Sequence, residues 1–148
     1  MNIGLLEDNA TILELMQTAL EMVGHNVSTH TYGQSLLNTI FDKHNAIHQL
    51  PTSLPYDLLI VDLNLPNELS GLDVITAIYR LLAPDVPPII VVSAGSTDQL
   101  DQLRRRFPML PVVRKPFVIR TLLEMISLHA KEMGHESEPQ NQLLPKDY

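Results

Sequence analysis

Four short runs of apolar residues along the chain each end at a polar or charged residue. Each run is rich in Leu, Ile and Val and lacks the alternation of a half-exposed strand, so it predicts a buried strand of a parallel sheet. Parallel strands that end together bring the residues that follow them to one edge of the sheet. The residues that follow are Glu7 and Asp8 after IGLL, Asp62 after LLIV, Ser93 after IIVV, and Arg114 and Lys115 after PVV.

The stretches between these runs carry apolar residues at helical spacing, which predicts helices that cover the buried strands. One such set is Ile12, Leu13, Leu15, Met16, Leu20 and Val23, and a second is Leu72, Ile75, Ile78, Tyr79 and Leu82. The chain therefore alternates strand and helix, with helices on both faces of one sheet. We predict strands at 2–6, 26–30, 57–61, 88–92 and 110–113, and helices at 10–23, 34–44, 71–83, 97–106 and 117–132.

The length and composition narrow the class of protein. The chain has 148 residues, which matches one domain with a sizeable core. With 17 acidic and 10 basic residues the formal charge is −7, which argues against direct nucleic-acid binding and fits protein partners. There is no cysteine, so neither disulfides nor thiolate metal sites contribute to the fold.

Residues 1–131 form the expected domain, and the polar residues 132–148, with Pro139 and Pro145, form an expected mobile tail. No apolar stretch approaches the roughly 20 residues of a membrane span, and the N-terminus lacks the pattern of a signal peptide. We therefore expect a cytoplasmic protein with no membrane association.

The residues at the predicted sheet edge indicate which ligand and which reaction this edge is suited to. Three crowded carboxylates, those of Glu7, Asp8 and Asp62, repel one another unless a cation offsets their charge, and a ligand set of oxygens favours Mg²⁺ over zinc. A carboxylate beside Mg²⁺, with the ammonium of Lys115 and the hydroxyl of Ser93 in reach, is suited to accepting a phosphoryl group. Asp62, at the end of the most hydrophobic run, is the natural nucleophile.

At four separated places the chain resembles the receiver domain of bacterial two-component response regulators, over roughly residues 2–130. LLEDN resembles the acidic pair after the first strand of that family, and VDLNLP its phosphoacceptor segment. IIVVSAG resembles its hydroxyl-bearing strand end, and RKPF its lysine, proline and aromatic signature. Each motif is weak by itself, but their order and spacing together are specific.

The resemblance implies a flavodoxin-like fold, a doubly wound five-stranded parallel sheet, in which a sensor histidine kinase phosphorylates Asp62. It also implies roles for the neighbouring residues. Asp8 and Asp62 would bind Mg²⁺ directly, Glu7 through water and Asn64 through its backbone carbonyl. Ser93 would hydrogen-bond the acyl phosphate, Lys115 would pair with its oxygens, and the small Ala94 would leave room for them.

The sequence departs from the family pattern in two places. The position three residues before the lysine commonly holds an aromatic residue that swings inward on activation, but here it is Val112. The segment NELS, between Pro66 and Gly71, is one residue longer than the commonest pattern. The first departure puts the usual aromatic switch in doubt, and the second concerns partner choice.

Several alternatives stay open. Taken singly, Glu7 and Asp8 are more typical of a helix cap, Asp62 of a turn, and Lys115 of surface charge. The chain could be an aspartyl-phosphate phosphatase or phosphotransferase, although such an enzyme would want an Asp where this chain has Asn64. It could also be a receiver-like binding module that is never phosphorylated. As a receiver it would act in trans, through contact with an unknown downstream protein, phosphate relay or a homodimer.

Overall fold

The strands and helices of the protein alternate along the chain in a computed structural model that describes residues 1–45, 54–66, 69–94 and 97–136. The strands are β1 (Asn2–Leu6), β2 (Asn26–His30), β3 (Leu58–Asp62), β4 (Ile89–Ser93) and β5 (Val112–Arg114). The helices are α1 (Ala10–Met22), α2 (Gly33–Asn45), α3 (Gly71–Leu82), α4 (Thr97–Arg106) and α5 (Ile119–Glu136). The predicted elements are confirmed, with ends that differ by a few residues.

All five strands are parallel and form one sheet in the order β2-β1-β3-β4-β5. The chain moves outward from β1 to β2, returns to β3 beside β1, and then continues in the opposite direction through β4 and β5. Strand order therefore reverses between β1 and β3, and in such sheets the crevice at the carboxyl ends of these two strands is where ligands bind. The predicted fold, a doubly wound five-stranded sheet of flavodoxin-like topology, is confirmed.

Helices cover both faces of the sheet because alternate strand residues point to opposite sides. On one face the aliphatic side chains of β1, β3 and β4 pack against α2, α3 and α4 in one continuous core. On the other face α1 contributes the buried Met16 and Leu20. The central strands β3 and β4 are buried at every position, which explains why their sequences lack alternation.

Helix α1 has well-defined ends. Asn9 caps its N-terminus, because the Asn9 side chain accepts hydrogen bonds from the backbone N–H groups of Thr11 and Ile12. Gly24 ends it with φ +93°, a left-handed conformation that favours glycine. The predicted end of this helix at residue 23 agrees with the structure to within one residue, and the cap is Asn9 rather than Asp8, which leaves Asp8 available at the sheet edge.

By their internal contacts, residues 1–117 form one compact unit that holds the sheet and α1 to α4. Helix α5 belongs to a second unit, residues 118–148, and continues to Glu136, beyond the predicted helix end. Residues 137–148 of the predicted tail lie outside the described residues, so the boundary at residue 131 stays a prediction. Among the described residues, none of the helices combines the length and the apolar character that spanning a bilayer requires.

Candidate functional site

The carboxylates of Glu7 and Asp62 lie side by side at the switch point of the sheet. Leu6 of β1 pairs with Val61 of β3, so the next residue of each strand, Glu7 and Asp62, reaches the carboxyl edge at the same level. Their exposed fractions are only 1% and 2%. Asp8 is less buried and follows directly. Single oxygens of these three carboxylates lie within 4.8 Å of one another, so the predicted acidic cluster forms.

Lys115 joins this cluster from β5, two strands away from β3. Its Nζ lies 2.7 Å from Glu7 Oε2 and 3.2 Å from Asp62 Oδ2. The Lys115 side chain is 14% exposed, so the ion pairs are largely shielded from water. The backbone holds the lysine there as well, because the Lys115 N–H donates to the Ser93 carbonyl oxygen at 2.7 Å. The lysine thus bridges both buried carboxylates.

Ser93 ends β4 and is completely buried. The sheet register places it beside the acidic cluster, since Asp62 pairs with Val92 and Ser93 pairs with Arg114, which immediately precedes Lys115. Ser93 thus lies between the strand that carries Asp62 and the strand that leads to Lys115. Ala94 follows it at the exposed edge.

The surroundings shift the pKa values of the two charged partners at the centre of the site, Asp62 and Lys115. Loss of solvation raises the pKa of Asp62 to about 6, and the charge of Glu7 adds to this. A hydrogen bond from the Asn64 N–H and the positive charge of Lys115 act in the opposite direction. For Lys115, burial by itself lowers the pKa, but the hydrogen bond to Glu7 and the attraction of Asp62 and Glu7 outweigh it and raise the pKa overall. Lys115 is therefore a permanent cation, and Asp62 is mostly ionised at neutral pH.

The backbone of the segment after β3 holds the Asp62 carboxylate in position. The Asn64 N–H donates to Asp62 Oδ1 at 3.0 Å, and the Gly71 N–H donates to the Leu63 carbonyl oxygen at 3.2 Å. A Cβ on Gly71 would meet the Asp62 carbonyl oxygen and lie 2.6 Å from Leu63 Cα. Only glycine lets the start of α3 approach this closely. Ser70 then begins α3 with a capping box to Asp73.

The backbone also holds Glu7 in place. The Glu7 N–H donates to the His30 carbonyl oxygen at 3.0 Å, and Glu7 Oε1 accepts from the Asn9 N–H at 3.2 Å. Glu7 is thus fixed at both ends, by β2 through its backbone and by the first helix cap through its carboxylate.

The arrangement fits a hard divalent cation. The donor set consists of carboxylate oxygens, and no histidine or cysteine takes part in it, which matches Mg²⁺ and disfavours zinc. One ammonium does not balance three carboxylates, so the cluster keeps a net negative charge when all of them are ionised. Asp8, the least buried of the three, can turn an oxygen toward an ion that keeps part of its water shell.

Most of the predicted site residues are brought together. Glu7, Asp8, Asp62 and Lys115 share one cluster, and the strand register places Ser93 beside it. The backbone N–H of Asn64 contacts the cluster at Asp62. The Asn64 side-chain atom Nδ2 is buried and has no hydrogen-bond partner among the described residues. Arg114 is exposed and stays outside the cluster. Three residues of the sequence motifs lie outside the described residues: Gly95 of IIVVSAG, and Asn67 and Glu68 of NELS.

Neither the role of Gly71 nor the bond between Lys115 and Glu7 was predicted from the sequence. A glycine directly after the helix cap Ser70 is the only hint of the close approach at Gly71. The bond to Glu7 depends on how far a lysine side chain reaches across the sheet edge, which no local pattern contains.

Comparison with known families agrees with this geometry. The sequence profile of the response regulator receiver domain matches residues 3–127. The chain belongs to the response regulator receiver domain family. Receiver domains are phosphoacceptor signalling modules of two-component systems rather than enzymes, and they interact with a phosphodonor and with downstream partners. A comparison with curated proteins yields no significant match.

Several solved structures share the fold. The CheY-like receiver domain protein of Methanospirillum hungatei is 21% identical, with a TM-score of 0.72 over 91% of this chain and 97% of that chain. The chemotaxis protein CheY4 of Vibrio cholerae is 20% identical, with a TM-score of 0.66 over 85% and 95%. The receiver domain of the Francisella response regulator 1452 is 18% identical, with a TM-score of 0.69 over 89% and 98%. At these identities the likeness is one of fold.

Proposed function

We propose that Asp62 accepts a phosphoryl group from a phosphohistidine of a sensor histidine kinase, in a reaction that requires Mg²⁺. One observation carries this proposal: the buried Asp62 carboxylate lies 3.2 Å from Lys115 Nζ inside a cluster of three carboxylates. This cluster stands at the switch point of the sheet, where open α/β folds bind their ligands. A purely structural ion pair would not need two additional carboxylates around it.

The chemical step is a displacement at phosphorus. A carboxylate oxygen of Asp62 attacks the phosphorus atom, a new P–O bond forms, and the P–N bond to the donor imidazole breaks. The departing ring nitrogen keeps the electron pair of that bond, and the other ring nitrogen already carries a proton, so the imidazole leaves as a neutral side chain and no further proton is needed. The products are an aspartyl phosphate and an unmodified histidine.

The side chains around Asp62 supply positioning and charge. Lys115 faces Asp62 Oδ2 and would pair with the phosphoryl oxygens, which offsets negative charge as it develops. The buried Ser93, with the small Ala94 beside it, would donate its hydroxyl hydrogen to the phosphoryl group. Of the two carboxylates that Lys115 contacts, Glu7 is the nearer, with Oε2 at 2.7 Å from Nζ. Glu7 therefore keeps the ammonium oriented.

The residues that would hold Mg²⁺ are Asp8 and Asp62 through their carboxylates, Glu7 through water and Asn64 through its backbone carbonyl. When bound, the ion would neutralise charge on the transferring phosphoryl group. Without such neutralisation the phosphoryl group would meet a cluster whose three carboxylates repel it.

Phosphorylation would act as a switch because it adds negative charge and acceptor oxygens to a buried site. The new contacts would draw Ser93 inward and shift α4, which changes the surface formed by α4 and β5. Val112, where an aromatic residue is common, makes an aromatic rotamer switch an unsuitable mechanism here. The changed surface would bind an unknown downstream protein or a second copy of the chain.

We also propose that the protein is cytoplasmic, since a histidine kinase that uses ATP acts where ATP is, and that it binds no nucleic acid directly, given its net charge of −7. Its own catalysis would extend at most to its phosphorylation and dephosphorylation. Asn64, in place of the second Asp that an aspartyl-phosphate enzyme would use, supports this limit.

The experiment is phosphorylation by phosphoramidate, a small donor, with the intact protein mass as readout. The expected result is one added phosphoryl group in the presence of Mg²⁺, and none after chelation or in Asp62→Asn. The matched control is Asp57→Asn, because Asp57 lies at the opposite end of β3, where it accepts from the Asn2 N–H. If the wild-type protein gains no phosphoryl group, the protein is a receiver-like binding module and the proposal is wrong.

A further inference from the structure

An open cavity lies beside the cluster, within the unit of residues 1–117. Its volume is about 430 Å³, which is in the range of sites that bind small molecules. The cavity is formed by the first half of α1, the end of β4 and the segment after β5. Its lining residues are Ile12, Leu15, Ala94, Lys115, Pro116 and Phe117.

The wall of this cavity is mostly apolar. Five of its six lining side chains are aliphatic, aromatic or prolyl. The ammonium of the sixth, Lys115, is held by Glu7 and Asp62, so the surface left to the cavity is chiefly the methylene stem of this lysine. Leu15 is 56% exposed, and an apolar ligand that covered it would gain hydrophobic free energy.

The cavity is continuous with the site through two residues. Lys115 contacts Asp62 with its ammonium and lines the cavity with the same side chain. Ala94, the second shared residue, directly follows Ser93. In an in-line displacement the leaving group lies on the side of the phosphorus opposite to the attacking carboxylate. A leaving group on the side of the phosphorus that faces Lys115 and Ala94 would lie against the apolar wall.

We propose that this cavity binds the aliphatic chain of a low-molecular-weight acyl phosphate, and that the domain consequently prefers acyl phosphates with chains longer than acetyl as direct phosphodonors. This inference rests on the proposed function of Asp62. The donor is anionic at one end and apolar at the other: its phosphoryl group would lie at Asp62 beside the Lys115 ammonium, and its chain would lie on the cavity wall formed by Ile12 and Leu15.

The reaction balances without an additional reactant. The Asp62 carboxylate attacks phosphorus, and the bond between phosphorus and the acyl oxygen breaks. The departing carboxylate takes the electron pair, and no proton transfer is needed. Short aliphatic carboxylates have nearly equal basicity, so their phosphates have similar intrinsic reactivity, and a dependence on chain length reports binding of the chain.

The test measures the second-order rate constant of phosphorylation of the wild-type protein by acetyl, propionyl and butyryl phosphate, with phosphoramidate as a donor that has no chain. We expect the rate constant to rise about two- to fourfold for each added methylene group. A rate constant independent of chain length, with normal phosphoramidate reactivity, overturns the inference and leaves the proposed function intact. A protein that reacts with none of these donors contradicts both.

Two substitutions on α1 localise the effect. Leu15→Gln makes the cavity wall polar, and Met22→Gln is its matched control, since Met22 is an exposed apolar residue of the same helix outside the cavity. The ratio of the butyryl phosphate rate to the phosphoramidate rate should fall severalfold in Leu15→Gln and stay unchanged in Met22→Gln. An unchanged ratio in Leu15→Gln, combined with slower transfer from a phosphohistidine protein, would assign the cavity to protein docking and overturn the inference.

Discussion

Lys115 lies closer to Glu7 than to Asp62: the Nζ to carboxylate oxygen distances are 2.7 and 3.2 Å. The lysine thus has a fixed partner in Glu7 and a second partner in Asp62, the proposed phosphoacceptor. A phosphoryl group on Asp62 can take up the second contact while Glu7 continues to hold the ammonium. These two roles of Lys115 account for the presence of two buried carboxylates, those of Glu7 and Asp62, around one ammonium group.

Removal of the lysine should destabilise the fold. In Lys115→Met two buried carboxylates lose their cation, which should lower the free energy of unfolding by about 3–5 kcal/mol at neutral pH. Urea unfolding measures this loss. Arg114→Met is the control, because Arg114 is exposed and its replacement should change the free energy of unfolding by less than about 0.5 kcal/mol. Equal effects of the two substitutions would contradict a buried ionic cluster.

Removal of the charge on Asp62 should stabilise the protein at neutral pH. The folded-state pKa of Asp62 is raised from 3.8 to about 6, so between these values the folded state binds more protons than the unfolded state. Stability from this group is therefore fully present below the unfolded pKa and is lost as the pH rises through about 6. Without divalent ions, Asp62→Asn should exceed the wild type by about 1–2 kcal/mol at pH 7.

A series of urea unfolding curves between about pH 4 and pH 7 checks this sign. The difference between Asp62→Asn and the wild type should grow with pH. The burial-lowered pKa of His30 affects both proteins alike and cancels in the difference. A difference that shrinks as the pH rises would show that the folded protein favours the ionised form of Asp62, which would contradict the raised pKa.

Mg²⁺ should stabilise the wild-type protein. A ligand present at about ten times its Kd adds about 1.4 kcal/mol to the free energy of unfolding. Asp8→Asn should lose this gain while it keeps the fold, since Asp8 is the least buried carboxylate of the cluster. Asp57→Asn should retain the gain. Thermal melts with MgCl2 and with a chelator measure both, and a full gain in Asp8→Asn would exclude Asp8 as a ligand.

Gly71 should be required for the shape of the site. In Gly71→Ala the new Cβ meets the Asp62 carbonyl oxygen and Leu63 Cα, which should cost about 1–3 kcal/mol of stability and reduce the stabilisation by Mg²⁺. Gly24→Ala is the comparison: its left-handed conformation should cost about 1–2 kcal/mol, but nothing lies within 4 Å of the added Cβ, so the effect of Mg²⁺ should persist. If both variants respond alike to Mg²⁺, the close approach at Gly71 does not shape the site.

The strands that carry the site were predictable because burial on both faces removes alternation, as in β3 and β4. The ends of β3 and β4 were predicted one residue early: Asp62 and Ser93 are the last strand residues rather than the first loop residues. The reason is that each still takes part in the ladder, Asp62 beside Val92 and Ser93 beside Arg114. Strand β2 differs, since it is an edge strand that is mostly exposed and has little hydrophobic pattern.

The predicted acidic cluster followed from topology alone, because residues after parallel strands share one edge. Topology also brings Lys115 to this edge, as predicted, but it does not specify the contact of Lys115 with Glu7. Strands β1 and β5 are separated by β3 and β4, and the contact between Glu7 and Lys115 spans 108 positions of the chain. It depends on sheet twist, on the reach of a lysine side chain and on the hydrogen bond from Lys115 to Ser93, none of which a local sequence pattern contains.

Locating the phosphoryl group tests most directly whether Asp62 is the phosphoacceptor. An aspartyl phosphate is reduced by borohydride to homoserine, so the phosphorylated protein is treated with borohydride, digested and analysed by mass spectrometry. We expect homoserine at position 62 and at no other aspartate, dependent on both the donor and Mg²⁺. Homoserine at Asp8 or Asp57, or phosphate retained on a histidine, would contradict it.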